Sequence, residues 1–160
     1  MHPRTLVFRL HQGLKREKNI LAGFKNAFSL LEGEIGFIKN TPQKAFGHIS
    51  GIASKPLNSF FIHLSKTLEN QRISFEQAWK KAIDNAMPKR CLTDSDMQIL
   101  KEFSARFGKS DIENEIKNIH NTYLALCVQL DEAKNICDSS KKIYQSAGVL
   151  GGVLIAVILF

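Results

Sequence analysis

Tryptophan occurs once in this chain and tyrosine twice, against 11 phenylalanines. Phenylalanine has no polar atom that must find a partner, so the bias points to packing between apolar surfaces rather than to a polar aromatic site. Cys91, Cys127 and Cys137 form no CxxC pair and leave one thiol over in any disulfide scheme. They read as small apolar residues in a reducing compartment. The five histidines, His2, His11, His48, His63 and His120, show no HExxH or similar spacing. No glycine-rich phosphate loop, GxSxG elbow or cysteine–histidine pairing occurs. No catalytic, cofactor-binding or metal-ligating set is therefore expected, and no small-molecule substrate. No stretch alternates with period two, which excludes a half-buried sheet. The N-terminal apolar run is only Leu6, Val7 and Phe8, short of the roughly 7–15 residues of a secretory signal core.

A chain of 160 residues fits one domain. With 44% hydrophobic and 23% charged residues it has the composition of a folded protein, neither disordered nor polytopic. The net charge of +7 is unevenly spread. Residues 1–25 hold Arg4, Arg9, Lys15, Arg16, Lys18 and Lys25 against Glu17 alone. Such an arm suits anionic headgroups or phosphates, or is simply solvated. Elsewhere lysines alternate with acids. Lys80 and Lys81 beside Trp79 are the best nucleic-acid candidates, and no basic face with aromatic platforms forms around them.

The C-terminus differs from the rest. No charged side chain follows Lys142, and the chain ends GVLGGVLIAVILF. Residues 143–160 would make about 27 Å of helix, close to the thickness of a hydrocarbon core. A terminal segment apolar on every face offers no side to water, so a transmembrane segment over 143–160 is expected. Lys141 and Lys142 would keep the preceding domain on the cytoplasmic side.

Between residues 14 and 142 the period is helical. Leu21, Phe24, Phe28, Leu31, Ile35 and Ile38 form one stripe. Thr41-Pro42 restarts the chain, with Pro42 at a first helical position, and a second helix reaches about Ala53. Pro56 introduces a third with Leu57, Phe60, Phe61, Leu64 and Leu68 on one face. Ser74 with Gln77 is a capping-box pair ahead of Trp79. Thr93 opens the next helix with Asp94 and Asp96 in its first turn, which complements the helix dipole and leaves Asp94-Ser95-Asp96 a poor metal fragment. Phe107-Gly108 ends it. Ser110 with Glu113 reads as a second capping box. Ile112, Ile116, Ile119, Tyr123, Leu126, Leu130, Ala133 and Cys137 then step by 4 and 3, a coiled-coil seam. Packing against the long first helix, or a homodimer, would bury it. The expected fold is all-α: a bundle of about five to six helices, whose long last helix continues into the membrane tail.

The strings LLEGEI (Leu30 to Ile35), Thr41-Pro42, SFEQAW (Ser74 to Trp79), LTDSD (Leu92 to Asp96), FGKSD (Phe107 to Asp111) and the apolar end occur in an order and spacing that resembles the stage III sporulation protein AB family. The resemblance covers about residues 14–160. It implies a scaffold component of a secretion-like complex between mother cell and forespore. The domain is similar to the inner-membrane platform protein of type II secretion systems. Other membrane proteins of that complex, its ATPase and membrane lipid are the implied partners, and the mother-cell membrane is the implied location. Glu32, Pro42, Trp79, Gly108, Ser110 and Asp111 are the residues to which structural or interface roles attach. Family members carry a membrane helix at each end, whereas residues 1–13 here form a basic arm too short and charged to span. The first anchor is thus expected to be missing or truncated. Phe107 stands where the family has leucine, and Glu115 where it tends to have glutamine. A generic tail-anchored adaptor shares the physical features, and a basic nucleic-acid-binding protein shares the charge.

Overall fold

The structure, a computed structural model, describes residues 3–69, 73–89 and 91–159, with side chains described for Lys142 and, within those stretches, from Gln12 to Ser139. Six helices and no strand occur among the described residues: α1 (Pro3–Gly36), α2 (Pro42–Ile52), α3 (Leu57–Glu69), α4 (Phe75–Ala86), α5 (Asp94–Arg106) and α6 (Ile112–Leu159). The all-α bundle is as expected. One boundary differs, since α1 begins at Pro3 rather than near Leu14. Proline is tolerated in a first turn, and leucine and arginine propagate a helix well. Helical backbone therefore runs through the segment expected as an arm.

The most extensive packing is between α1 and α6. They run antiparallel: Gly36 near the end of α1 faces Ile116 near the start of α6, and Glu32 lies beside His120 one turn on. Leu21, Phe24, Phe28, Leu31 and Ile35 of the α1 stripe are buried, as are Ile119, Leu126, Leu130, Ala133 and Cys137 of the α6 seam. From Ile116 to Cys137 the seam is thus covered within the chain by α1, whereas Ile112, its expected first member, is 57% exposed. Ile38 departs from its expected place, since α1 ends at Gly36 and Ile38 is 62% exposed.

The shorter helices α2 to α5 close over the α1 stripe through an aromatic core. Trp79 sits at its centre, 1% exposed, with ring centroids of Phe60 at 4.9 Å, Phe103 at 5.2 Å, Phe75 at 5.6 Å, and Phe28 and Phe46 at 6.4 Å. Most of these pairs are edge-to-face, the arrangement the ring quadrupoles favour. Phe107 fills the edge of this cluster, its ring centroid 4.4 Å from that of Phe75 and tilted 39° to it.

Capping follows the sequence in full at α5 and by half at α4, where the Gln77 side chain makes no return bond to Ser74, and departs at α6. Ser74 Oγ accepts from the Gln77 backbone N–H at 3.3 Å. At α5 the cap is stronger than the first-turn charge alone. Asp96 N–H donates to Thr93 Oγ1 (3.2 Å), and Thr93 N–H donates to Asp96 Oδ2 (2.9 Å), a full reciprocal box. The expected Ser110–Glu113 box at α6 is not formed. Asp111 is the cap, its Oδ1 accepting from Asn114 N–H at 2.9 Å. Gly108, at φ +78°, turns the chain into the left-handed region, and α6 begins at Ile112, which moves the capping position from Ser110 to Asp111.

Among the described residues no helix is long and apolar enough to cross a membrane. The segment expected to do so, 143–160, lies outside the residues whose side chains are described.

Candidate functional site

The two corners at one end of the bundle, where α1 turns into α2 and α5 into α6, bring together three of the six residues singled out from sequence. Pro42, Gly108 and Ser110 line one small cavity of about 240 Å3, with Ile35, Phe107, Ile112, Lys39 and Glu115. Asp111 follows directly and caps α6. Each corner uses a left-handed residue: Gly108 at φ +78° and Lys39 at φ +59°. Glycine meets no steric penalty there, whereas Lys39 holds a strained conformation. Both Phe37 N–H (3.0 Å) and Ile38 N–H (3.2 Å) donate to the Gly33 carbonyl, which closes the end of α1.

Glu115 was missed as a functional group in the sequence, and it organises the second corner. The residue is only 7% exposed. Oε2 accepts from the Gly108 backbone N–H at 2.9 Å and from the Ser110 hydroxyl at 3.3 Å. Asp111 and Glu115 do stand four apart, but capping holds one carboxylate at the helix start while the other reaches back to Gly108. The positive end of the α6 dipole suits both.

The acids of LLEGEI act as ties between helices. Glu32 Oε1 lies 3.2 Å from His120 Nδ1 and joins α1 to α6. Glu34 accepts from the Asn40 side-chain amide at 2.5 Å and lies 3.3 Å from His48 Nδ1, joining α1 to its own corner and to α2. The Asn40 hydrogen bond, with help from His48, holds the Glu34 carboxyl below the ordinary carboxylate range. The His48 and Asn40 partners carry no sequence signal, because they meet Glu34 only after the chain has turned. Neither Glu32 nor Trp79 lines the cavity.

Three further groups are shifted. Burial, then the nearby Asp96 charge, raises the Glu17 carboxyl. Burial first also raises the Cys91 thiol, away from the depressed pKa of a reactive thiolate. A hydrogen bond with Cys127 is the main cause of an upward shift at Tyr123. No group of three or more His, Cys, Asp or Glu side chains is placed to hold a metal among the described residues. Trp79 is buried, so it offers Lys80 and Lys81 no exposed platform for a nucleic-acid base.

The fold and its corner network define a helical-bundle protein whose singled-out residues set turns, caps and interhelical ties. The profile of the stage III sporulation protein AB family matches residues 5–160, and the chain belongs to that family. It is 24% identical over 133 residues to stage III sporulation protein AB of Bacillus subtilis (strain 168), covering 83% of this chain and 78% of that protein. A solved structure of stage III sporulation protein AB superposes with a TM-score of 0.69 at 21% identity, over 78% of this chain and 97% of the other. That likeness independently supports the bundle fold.

Proposed function

We propose that the protein is a non-catalytic, membrane-anchored scaffold of the stage III sporulation complex between mother cell and forespore. Family membership carries this reading. The polar network described above supports it, because its hydrogen bonds run between corners and helix ends of the chain itself. The uncharged run after Lys142 supplies the anchor, and the antiparallel α1–α6 pair holds the bundle at its base. The domain then sits on the cytoplasmic side and offers its surface to other membrane proteins of the complex and to the ATPase.

The test is a clean deletion in the host, scored by microscopy after engulfment. Forespores that stay small or collapse, rescued by the whole gene but not by one lacking residues 143–160, are the expected result. Normal spores from the deletion strain would refute the sporulation role. Full rescue by the truncated gene would refute the anchor.

A further inference from the structure

One flank of α1 forms one wall of a groove of about 630 Å3, and the α2–α3 corner forms the other. Along that wall Arg16, Asn19, Gly23, Asn26 and Leu30 recur at spacings of 3 and 4, the stripe of a helix about four turns long. The floor is apolar: Ile20, Ala27 and Leu57 are buried there. The rim keeps two apolar side chains in solvent, Ile52 at 70% and Leu30 at 39% exposed. The charges lining the groove are all of one sign. Arg16 and Lys55 are both exposed, and no carboxylate lines the groove among the described residues.

We infer that this groove is the docking site for an amphipathic α-helix of another protein, apolar along one stripe and flanked by carboxylates. An apolar-floored groove beside a helix can take anchors at i, i+3, i+4 and i+7 of a second helix. Two cations, with no carboxylate lining the groove among the described residues, favour an acidic occupant and disfavour a basic one, including a second copy of this chain's own basic α1. The Asn19 and Asn26 amides each present both donors and acceptors to such a helix. Exposed Ile52 and Leu30 gain a cover only when the groove is filled. The inference rests on the scaffold reading only in requiring a protein partner. It needs no membrane tail, and the sporulation phenotype is scored independently of it.

The test titrates the full chain, held in phosphatidylcholine nanodiscs, against fluorescein-labelled helical peptides about four turns long. Each peptide carries a leucine stripe, with glutamates on its flanks in varied registers. A matched set carries lysine in place of glutamate. Saturable binding by glutamate peptides, about tenfold or more tighter than by their lysine counterparts, is the expected result. The double variant Arg16→Glu with Lys55→Glu reverses the preference, and either single change gives an intermediate effect. Both residues are exposed, and unchanged circular dichroism would confirm that the variant is folded. Failure of every glutamate peptide to saturate overturns the proposal. So does equal binding of the two sets, or a preference that survives the double variant. Saturable binding of laurate without binding of any peptide would also overturn it and assign the groove to a small anionic amphiphile.

Discussion

Replacing Trp79 tests whether the aromatic core holds the bundle or whether the tryptophan serves a partner. The side chain is 1% exposed and is ringed by Phe28, Phe46, Phe60, Phe75 and Phe103, which come from five segments of the chain. Trp79→Ala leaves a cavity that no single neighbour can fill, because each of these rings is held by its own helix. Truncations of this kind cost about 3–5 kcal/mol. A domain of this size has about 5–15 kcal/mol in total, so the variant loses a large share of its stability. At roughly 2–4 °C per kcal/mol, the melting temperature falls by about 10 °C. Trp79→Phe keeps most of the ring contacts. It also removes an indole N–H that finds no protein acceptor, and leaving such a group buried costs about 1–3 kcal/mol. That gain offsets part of the lost area, so Trp79→Phe should shift melting far less than Trp79→Ala. Thermal unfolding of the full chain in detergent micelles, followed by far-ultraviolet circular dichroism, measures both. A melting temperature for Trp79→Ala within about 2 °C of the parent would refute the reasoning and return Trp79 to a contact role.

Other perturbations probe the corners and the register of α1. Gly108→Val places a β-branched side chain at φ +78°, where nothing crowds it but the backbone is unfavourable; a loss of about 1–2 kcal/mol or more in thermal unfolding is expected, and no loss would refute the left-handed requirement. Glu115→Ala strips the acceptor from Gly108 N–H and Ser110 and should cost about 1–3 kcal/mol, whereas Glu115→Gln should retain much of the parent stability in the same assay. Gly23→Ala sets a Cβ against Leu57 Cδ1, so Leu57 must shift; the single variant should fall short of the roughly 1 kcal/mol that a helical Gly→Ala change gains, and the double variant with Leu57→Val should show less than additive loss by denaturant titration. The lowered Glu34 pKa stabilises the fold above the unfolded carboxylate value near ~4.3, and that contribution is lost as pH falls through the folded value. Stability profiles of the parent and Glu34→Gln should therefore converge in acid and separate modestly at neutral pH, and parallel profiles would exclude the tie.

Much of this architecture was legible in the sequence because its causes are local. The period of Leu21, Phe24, Phe28, Leu31 and Ile35 marks a buried helical face wherever that face ends up. The Ser74 and Thr93 caps announce helix starts through bonds made within one turn, and Pro42 does so through its fixed φ at the first helical position. The seam from Ile116 to Cys137 showed that the last helix needs a long apolar partner.

Pairing was a different matter, since either α1 or a second copy satisfied that seam. Only the folded chain assigned it to α1, where Glu32 meets His120 across 88 positions of sequence. The corner network was hidden for a similar reason. Glu115 reaches Gly108 only after a left-handed turn has swung the chain back, and that turn also moved the cap from Ser110 to Asp111. The sequence by itself determined the helices, their caps and the apolar faces, because 3.6-residue periodicity and capping are properties of neighbouring residues. Tertiary structure alone decided which faces meet, which carboxylates become ties and where a groove is left open, because those outcomes depend on contacts between residues far apart along the chain.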